Sequence, residues 1–454
     1  MNPRPEPRAA LPSRRDVLHW MSAASLMGAA ASFVASSLAT RSAQAAAQGG
    51  GRKLLTIFLR GGNDGLNTLI PLHDPQYSAA GVRPTLRIPA NLALDLGTGG
   101  AAFHPAMARA LEVFQAGELA AVARVGYANS SLSHFSSQRF LETGLPGDDS
   151  LDEGWVARWA RVQASADSLA AVSVSPQVQR MFLGPHVVAN VPDLAQYALS
   201  ADPVASKILG SGAHGLASSY GALPRVGYDG LVRRTGSAMR ESLLALSTLP
   251  PHPFAPDSFP ADPAACAAEG LPSGWWAATF LANVRDALQI LQGTGCTIAG
   301  VEMPGFDHHV GQGAANGDHA ARLMVVAHAL RSLRREAQQS GVWSDLAVLV
   351  VSEFGRTSRE NGSGGTDHGR GGVTLLAGGS VHGGVHHCDP VSWPANATLF
   401  SDANKYIAHR TDYRALYAEV LRHHLLLGDP ELDQVIPGFT QLSGPEFQEL
   451  GLFV

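Results

Sequence analysis

Five stretches of the chain are almost uninterrupted in apolar character: Leu54–Leu59, Leu119–Val125, Cys296–Glu302, Leu346–Ser352 and Val373–Leu376. A strand with one wet face alternates apolar and polar residues. A strand covered on both faces does not, so these runs predict strands inside a mostly parallel sheet. Between them the apolar period lengthens to that of a helix, at about His104–Ala116, Ser133–Thr143, 274–292 and Asp318–Gln339. Strand, polar loop and helix in repeated order predict an α/β fold with helices on both faces of a central sheet.

Between 145 and 275 this rhythm fails. Helical pieces at 154–163 and 229–247 are joined by proline-rich connections such as Leu249-Pro250-Pro251-His252-Pro253. The segment reads as an insertion or cap on a single domain that runs from 53 to 454. No internal repeat is present.

The N-terminus has a different pattern. Ser13-Arg14-Arg15-Asp16-Val17-Leu18 places two arginines before a weakly apolar run from Met21 to Leu38, and Ala43-Gln44-Ala45 offers a small-x-small cleavage site. Basic start, apolar middle and small-residue exit predict an export signal over 1–45, of the twin-arginine type, followed by a flexible leader over 46–52. The twin-arginine translocase is then an expected partner and the periplasm or the exterior the expected location. No stable membrane span is expected after cleavage. That route carries folded cargo, often loaded with a metal or cofactor.

Charge and cysteine content narrow the function. Removing 1–45 takes five arginines against Glu6 and Asp16, leaving 28 basic and 36 acidic residues, a formal charge of −8. With no basic run either, nucleic acid is not an expected partner. Cys266, Cys296 and Cys388 are too few for a disulfide framework, although one bond, Cys266 to Cys296, has room to form.

In open α/β sheets the site lies beyond the carboxyl ends of the strands. The residues that follow the predicted strands there are Asn63 and Asp64; Ser133 and His134; Asp307, His308 and His309; Glu353 and Arg356; then Asp367 and His368. Carboxylates, imidazoles and a hydroxyl delivered by separate strand ends are the donors of a Zn, Mn or Fe site holding one or two ions. Each segment also has a plainer reading: Gly61–Gly65 as a turn, Ser133 as a helix cap, the histidines as solvated loop residues. Gly210–Gly215 fits G-x-G-x-x-G but follows no strand, and His382, His386, His387 and Cys388 lack zinc spacing.

Arg60-Gly61-Gly62-Asn63-Asp64-Gly65-Leu66-Asn67-Thr68, Ser133-His134-Phe135, Phe306-Asp307-His308-His309, Ser352-Glu353-Phe354-Gly355-Arg356-Thr357 and Gly365-Thr366-Asp367-His368-Gly369 together resemble the DUF1501 family, exported bacterial proteins of undefined function. The family commonly has Asp-Thr-His where this chain has Asp307-His308-His309. The family in turn is distantly similar to the alkaline phosphatase–sulfatase superfamily. That resemblance implies metals and a hydroxyl nucleophile at the strand ends. By position it implies Asp64 as a metal-bridging acid, Ser133 as nucleophile, and Asp307, His309, Glu353 and His368 as ligands. Phe354 stands where a second ion would have its histidine, so one ion, or Asp367 in the gap, is implied.

The expected function is hydrolysis of a phosphate or sulfate ester on a small molecule or polysaccharide. Ser133 would attack, Arg356 would hold the equatorial oxygens, and His308 or His134 would protonate the leaving group. Two alternatives stay open: a mononuclear iron enzyme built on Asp307, His309 and His368, and a non-catalytic, metal-stabilised binding or assembly protein.

Overall fold

The structure is a computed structural model that describes residues 51–454 apart from 80, 99, 164–167, 186–187, 196, 198–234, 237, 239–240, 244 and 390–404. The export signal, nearly all of the leader and the 210–215 glycine motif lie outside the described residues. One compact unit comprises Ser42–Asp193 and Leu249–Val454 and carries every element discussed here.

The strands are β1 (Lys53–Leu59), β2 (Leu69–Pro71), β3 (Leu94–Asp95), β4 (Ala101–Phe103), β5 (Leu119–Gly126), β6 (Ala171–Ser173), β7 (Ala189–Asn190), β8 (Ile298–Met303), β9 (Leu346–Ser352), β10 (Gly372–Gly378), β11 (Gly384–His386) and β12 (Thr411–Asp412). Nine of them form one sheet in the order β11-β5-β10-β9-β1-β8-β6-β7, with β12 also paired to β5; β2, β4 and β3 make a small second sheet. Strand β1 pairs in parallel with β8 on one side and β9 on the other. Only β10 runs against its neighbours, β9 and β5. The mostly parallel sheet expected from the apolar runs is therefore present. The reversal of β10 has a consequence for chemistry: its N-terminal loop lies at the same end as the C-terminal loops of β1, β8 and β9.

All seven residues of β1 are buried, which is why its sequence does not alternate. Leu54 and Phe58 pack on one face in a cluster with Trp155, Leu416, Tyr417 and Leu432 from three helices. Leu55 and Ile57 point to the other face and are as fully buried. The main helices are α1 (Ala108–Gln115), α2 (His134–Thr143), α3 (Trp155–Val162), α4 (Trp275–Gly293), α5 (Asp318–Gln339) and α6 (Tyr413–Glu419). Helix α2 starts after extended Ser133 and stops at Gly144, whose φ of 70° is the usual left-handed exit.

Two expectations need correction. The stretch 145–275 is not wholly a cap, because β6 and β7 extend the main sheet beside β8 and α3 packs into the core. These strands span only three and two residues, too short to register as apolar runs. The cysteines form no bond; all three are free and buried. Among the described residues, no helix is long and apolar enough to cross a membrane.

Candidate metal centre

Three histidines and one aspartate meet at the carboxyl end of the sheet. Asp307 and His309 come from the loop after β8, His368 from the loop entering β10, and His134 from the first turn of α2. One ligand-type atom from each of His134, Asp307 and His368 lies within 4.8 Å of the others. His309 Nε2 lies 2.9 Å from His368 Nε2 and 3.0 Å from Asp307 Oδ1. His368 Nε2 is 3.3 Å from Asp307 Oδ1, and His134 Nε2 is 3.3 Å from Asp307 Oδ2.

The outer nitrogen of each ring fixes its tautomer. His368 Nδ1 lies 2.6 Å from the Leu132 carbonyl, which can only accept, so Nδ1 carries the hydrogen. His134 Nδ1 faces Glu353 Oε1 at 2.8 Å and His309 Nδ1 faces Asp367 Oδ1 at 3.2 Å, so both donate to carboxylates. In the neutral rings all three Nε2 atoms are then lone pairs turned inward on a carboxylate. Lone pairs of His309 and His368 at 2.9 Å repel unless a proton or a metal ion lies between them. His134 Nε2 is buried and has no hydrogen-bond partner. Zinc–nitrogen bonds of about 2.0–2.1 Å in a tetrahedron space the donors by about 3.3 Å. Four of the six donor pairs lie 2.9–3.3 Å apart, close to that spacing, and His134, Asp307 and His368 are the three whose donor atoms all lie within 4.8 Å of one another. Histidines with one nitrogen anchored to a carboxylate or carbonyl are the usual arrangement around a metal. The residues therefore fit a cation.

A shell of hydrogen bonds holds this set. Glu353 is buried at the end of β9 and accepts from the Gly61 backbone N–H at 2.9 Å and from Gln138 Nε2 at 3.0 Å, besides His134. Burial pushes its carboxyl up, but these hydrogen bonds outweigh it and hold the acid below its ordinary value. The Glu353 bond is also the main reason that the His134 pKa is raised. Asn361 Nδ2 donates to Asp367 Oδ1 at 3.0 Å. Gly61 has φ 117°, and a Cβ there would come within 2.5 Å of the Asp307 backbone nitrogen. The β1 exit loop can press against the Asp307 loop only because residue 61 has no side chain.

The remaining candidates are placed elsewhere or act differently. Arg356 is buried. It donates to the carbonyls of Gly62 at 2.7 Å, Phe306 and Thr366 at 3.0 Å, and Gly61, and to Asp307 Oδ1 at 2.6 Å. Its donors are committed, so it positions Asp307 and is not free for substrate oxygens. Burial raises the Asp307 carboxyl, yet the Arg356 hydrogen bond and charge bring it to about 2. Asp64 is not in the cluster. It is buried in a two-pronged pair with Arg83, at 2.7 and 3.0 Å, and also accepts from Gln312 at 2.6 Å. Against the cost of burial, Arg83 holds it at about 2. His308 turns away from its neighbours. It packs edge-on to His319 and is lowered to about 4, chiefly by burial, so near neutrality it is the neutral ring and not the imidazolium that a general acid requires. Ser133 is exposed just before α2, and its hydroxyl makes no capping hydrogen bond. Glu353 and Asp367, expected as ligands, instead face the outer nitrogens of His134 and His309.

Sequence reasoning missed Arg83, Gln138, Gln312 and Asn361. Gln138 stands one helical turn after His134, a spacing that puts both on one face and was there to be read. Arg83 lies in a loop with no motif around it.

Fold and centre together define an α/β protein with an imidazole–carboxylate cluster at the carboxyl end of its sheet. Residues 285–432 match DUF1501, described as a protein of unknown function, so the family resemblance carried by the motifs is shown for that region. It includes Asp307, His309, Glu353, Asp367 and His368, and leaves out Asp64 and His134. No curated protein matches the chain. Among solved structures, "Crystal structure of PsFucS1 sulfatase from Pseudoalteromonas sp." is similar at 9% identity and a TM-score of 0.28. The match covers 74% of this chain and 66% of that one, so the chain spans just under two thirds of its length.

Proposed function

We propose that the protein is an exported, one-metal hydrolase of phosphate or sulfate esters, its ion held by His134, Asp307, His309 and His368. One observation carries this reading: three Nε2 atoms, each freed by an anchored Nδ1, converge on one carboxylate. Such a donor set suits Zn, Mn or Fe. When bound, the ion would polarise an ester oxygen and lower the pKa of a nearby hydroxyl or water. The chain's own residues bind and orient. Arg356 fixes Asp307, Glu353 fixes His134, and Asp367 fixes His309. Ser133 offers an exposed hydroxyl one residue before His134, at the partly positive start of α2.

Two features support one ion over two. Asp64 is already neutralised by Arg83. The Phe354 ring packs 4.9 Å from both the His134 and His368 rings, where it offers no ligand atom. The commitment of Arg356 to carbonyls and Asp307 favours a second reading, a metal-stabilised binding protein without turnover, because that arginine is unavailable to an oxyanion.

Metal analysis of the protein recovered from the periplasm, followed by assay on aryl phosphates and aryl sulfates, tests both. The hydrolase reading expects a stoichiometric ion, turnover, and loss of turnover but not of metal in Ser133→Ala. Bound metal with no turnover on either ester class would establish the second reading instead. Export by the twin-arginine route belongs to the same proposal, and replacing Arg14 and Arg15 together by lysine should leave the protein in the cytoplasm.

A further inference from the structure

Beside the metal centre, helices α4 and α5 both begin at the carboxyl end of the sheet. α4 runs into β8 from there, and α5 leaves from the loop after β8. The first residue of α4, Trp275, is a large ring left 68% exposed. Its neighbour Trp276 is half-buried, and its ring lies 4.9 Å from the guanidinium carbon of Arg322, in the second turn of α5. A cation at this distance from an indole is held in place at low entropic cost. The guanidinium also lies close against Gly305. A Cβ at that position would come within 2.3 Å of Arg322 Nη2, and Gly305 has φ 97°. Arg322 Nε and Nη1 make only long contacts, 3.3 Å to the Pro304 carbonyl and 3.4 Å to the Asp318 carbonyl. None of its bonds is to a carboxylate. The arginine is therefore packed against Trp276 and Gly305 and long in its hydrogen bonds, with the Asp318 carboxylate as the acid that acts on it.

Gly305 is two residues from Asp307, and two residues of chain span at most about 7 Å. The Arg322 guanidinium, close against Gly305, thus lies within the reach of a disaccharide from Asp307. An exposed indole offers a flat apolar face that suits the C–H face of a pyranose, and a fixed guanidinium offers paired donors for a sulfate, phosphate or carboxylate. The protein is net acidic, formal charge −5, so a rigid cation here is a local exception to a surface that repels anions.

We infer that Trp275, Trp276 and Arg322 form a subsite for an anionic carbohydrate, stacking a sugar ring on Trp275 and holding its charged substituent on Arg322. This rests on the hydrolase reading only for what then happens to the bound glycan; binding itself does not require turnover.

The test is affinity electrophoresis of the mature protein through gels containing dextran sulfate or plain dextran. Dextran sulfate should retard the protein and dextran should not. Arg322→Gln should weaken retardation roughly 10-fold, the low end for loss of a charge-assisted hydrogen bond, and Trp275→Ala, which removes the stacking face, should also weaken it. Arg161→Gln, which removes a surface arginine on α3, should leave it unchanged. Part of the parent's retardation should persist in gels containing EDTA, and Arg322→Gln should lower that part too, which separates this subsite from the metal centre. Equal retardation of Trp275→Ala and parent would overturn the inference. So would complete loss of the parent's retardation in EDTA, or a loss in Arg161→Gln as large as that in Arg322→Gln.

Discussion

Glu353→Gln separates a residue that holds an ion from one that holds a ligand. Glu353 Oε1 accepts from His134 Nδ1, Gln138 and the Gly61 amide within 2.8–3.0 Å. A glutamine of the same shape keeps an acceptor oxygen there but removes the charge. His134 then loses its charge-assisted anchor, and its ring is less basic and less firmly oriented. Replacing such outer partners costs about 10–100-fold in metal affinity, or about 1.4–2.7 kcal/mol. His368→Ala removes a donor atom outright and should cost far more. The assay is competition for Zn against a fluorescent chelator, for the parent, Glu353→Gln, Asp367→Asn and His368→Ala. Both outer variants should bind Zn measurably but more weakly, and His368→Ala should fail to compete. If Glu353→Gln fails as completely as His368→Ala, Glu353 is itself a ligand and the tautomer argument collapses. Parent-like affinity in both outer variants would also refute it.

Three further outcomes follow from the same geometry. Arg83→Leu leaves the buried Asp64 carboxylate uncompensated and strips donors from the Thr357 and Ser358 carbonyls, so stability should fall by about 3–5 kcal/mol in a urea titration. The buried His328 and His424 are lowered to about 4, mainly by burial. As pH falls below about 6.5 the unfolded chain takes up these protons first, so stability should decline between pH 6.5 and 4, by at most about 3 kcal/mol for each histidine. Thermal midpoints measured across that range, with His328→Gln as a control of shallower slope, check this. Phe354→Ala should leave Zn stoichiometry at one and lower affinity, since it unpacks two ligand rings without removing a donor; chelator titration reads both quantities.

The frame of the fold was legible because central strands in a parallel sheet cannot hide their composition. β1, β5, β8, β9 and β10 each announced themselves by an apolar run. β6 and β7 did not, since strands of three and two residues at a sheet edge carry too little pattern to separate from coil. Which residues gather at the site was partly legible for a topological reason: strand ends at one edge bring their loops together whatever the sequence between them. Asp307, His309 and His368 were read in this way. Roles within the gathering were not legible. Glu353 and Asp367 have the chemistry of ligands, and only the direction of the His134 and His309 rings makes them orienting partners. Asp64 has the same chemistry again, and only the arrival of Arg83 from a motif-free loop takes it out of play.

The exchange at Asp64 has a wider consequence for how the site is charged. A buried carboxylate at the end of β1 needs a positive partner, because an isolated one would be forced to protonate. The sequence-based expectation for Asp64 has a metal ion supply that charge. Here a guanidinium supplies it, with two hydrogen bonds to Asp64 and others to Asn67 and to the Thr357 and Ser358 carbonyls. Because Arg83 itself donates to the Thr357 and Ser358 carbonyls, the loop that follows β9 is held whether or not any ion is present. Arg356 does the same for the loop that carries Asp307. Two buried arginines thus shape the scaffold without metal. Arg356 already offsets the Asp307 carboxylate, so what invites a further cation at the centre is the set of inward Nε2 atoms of His134, His309 and His368 gathered on that carboxylate.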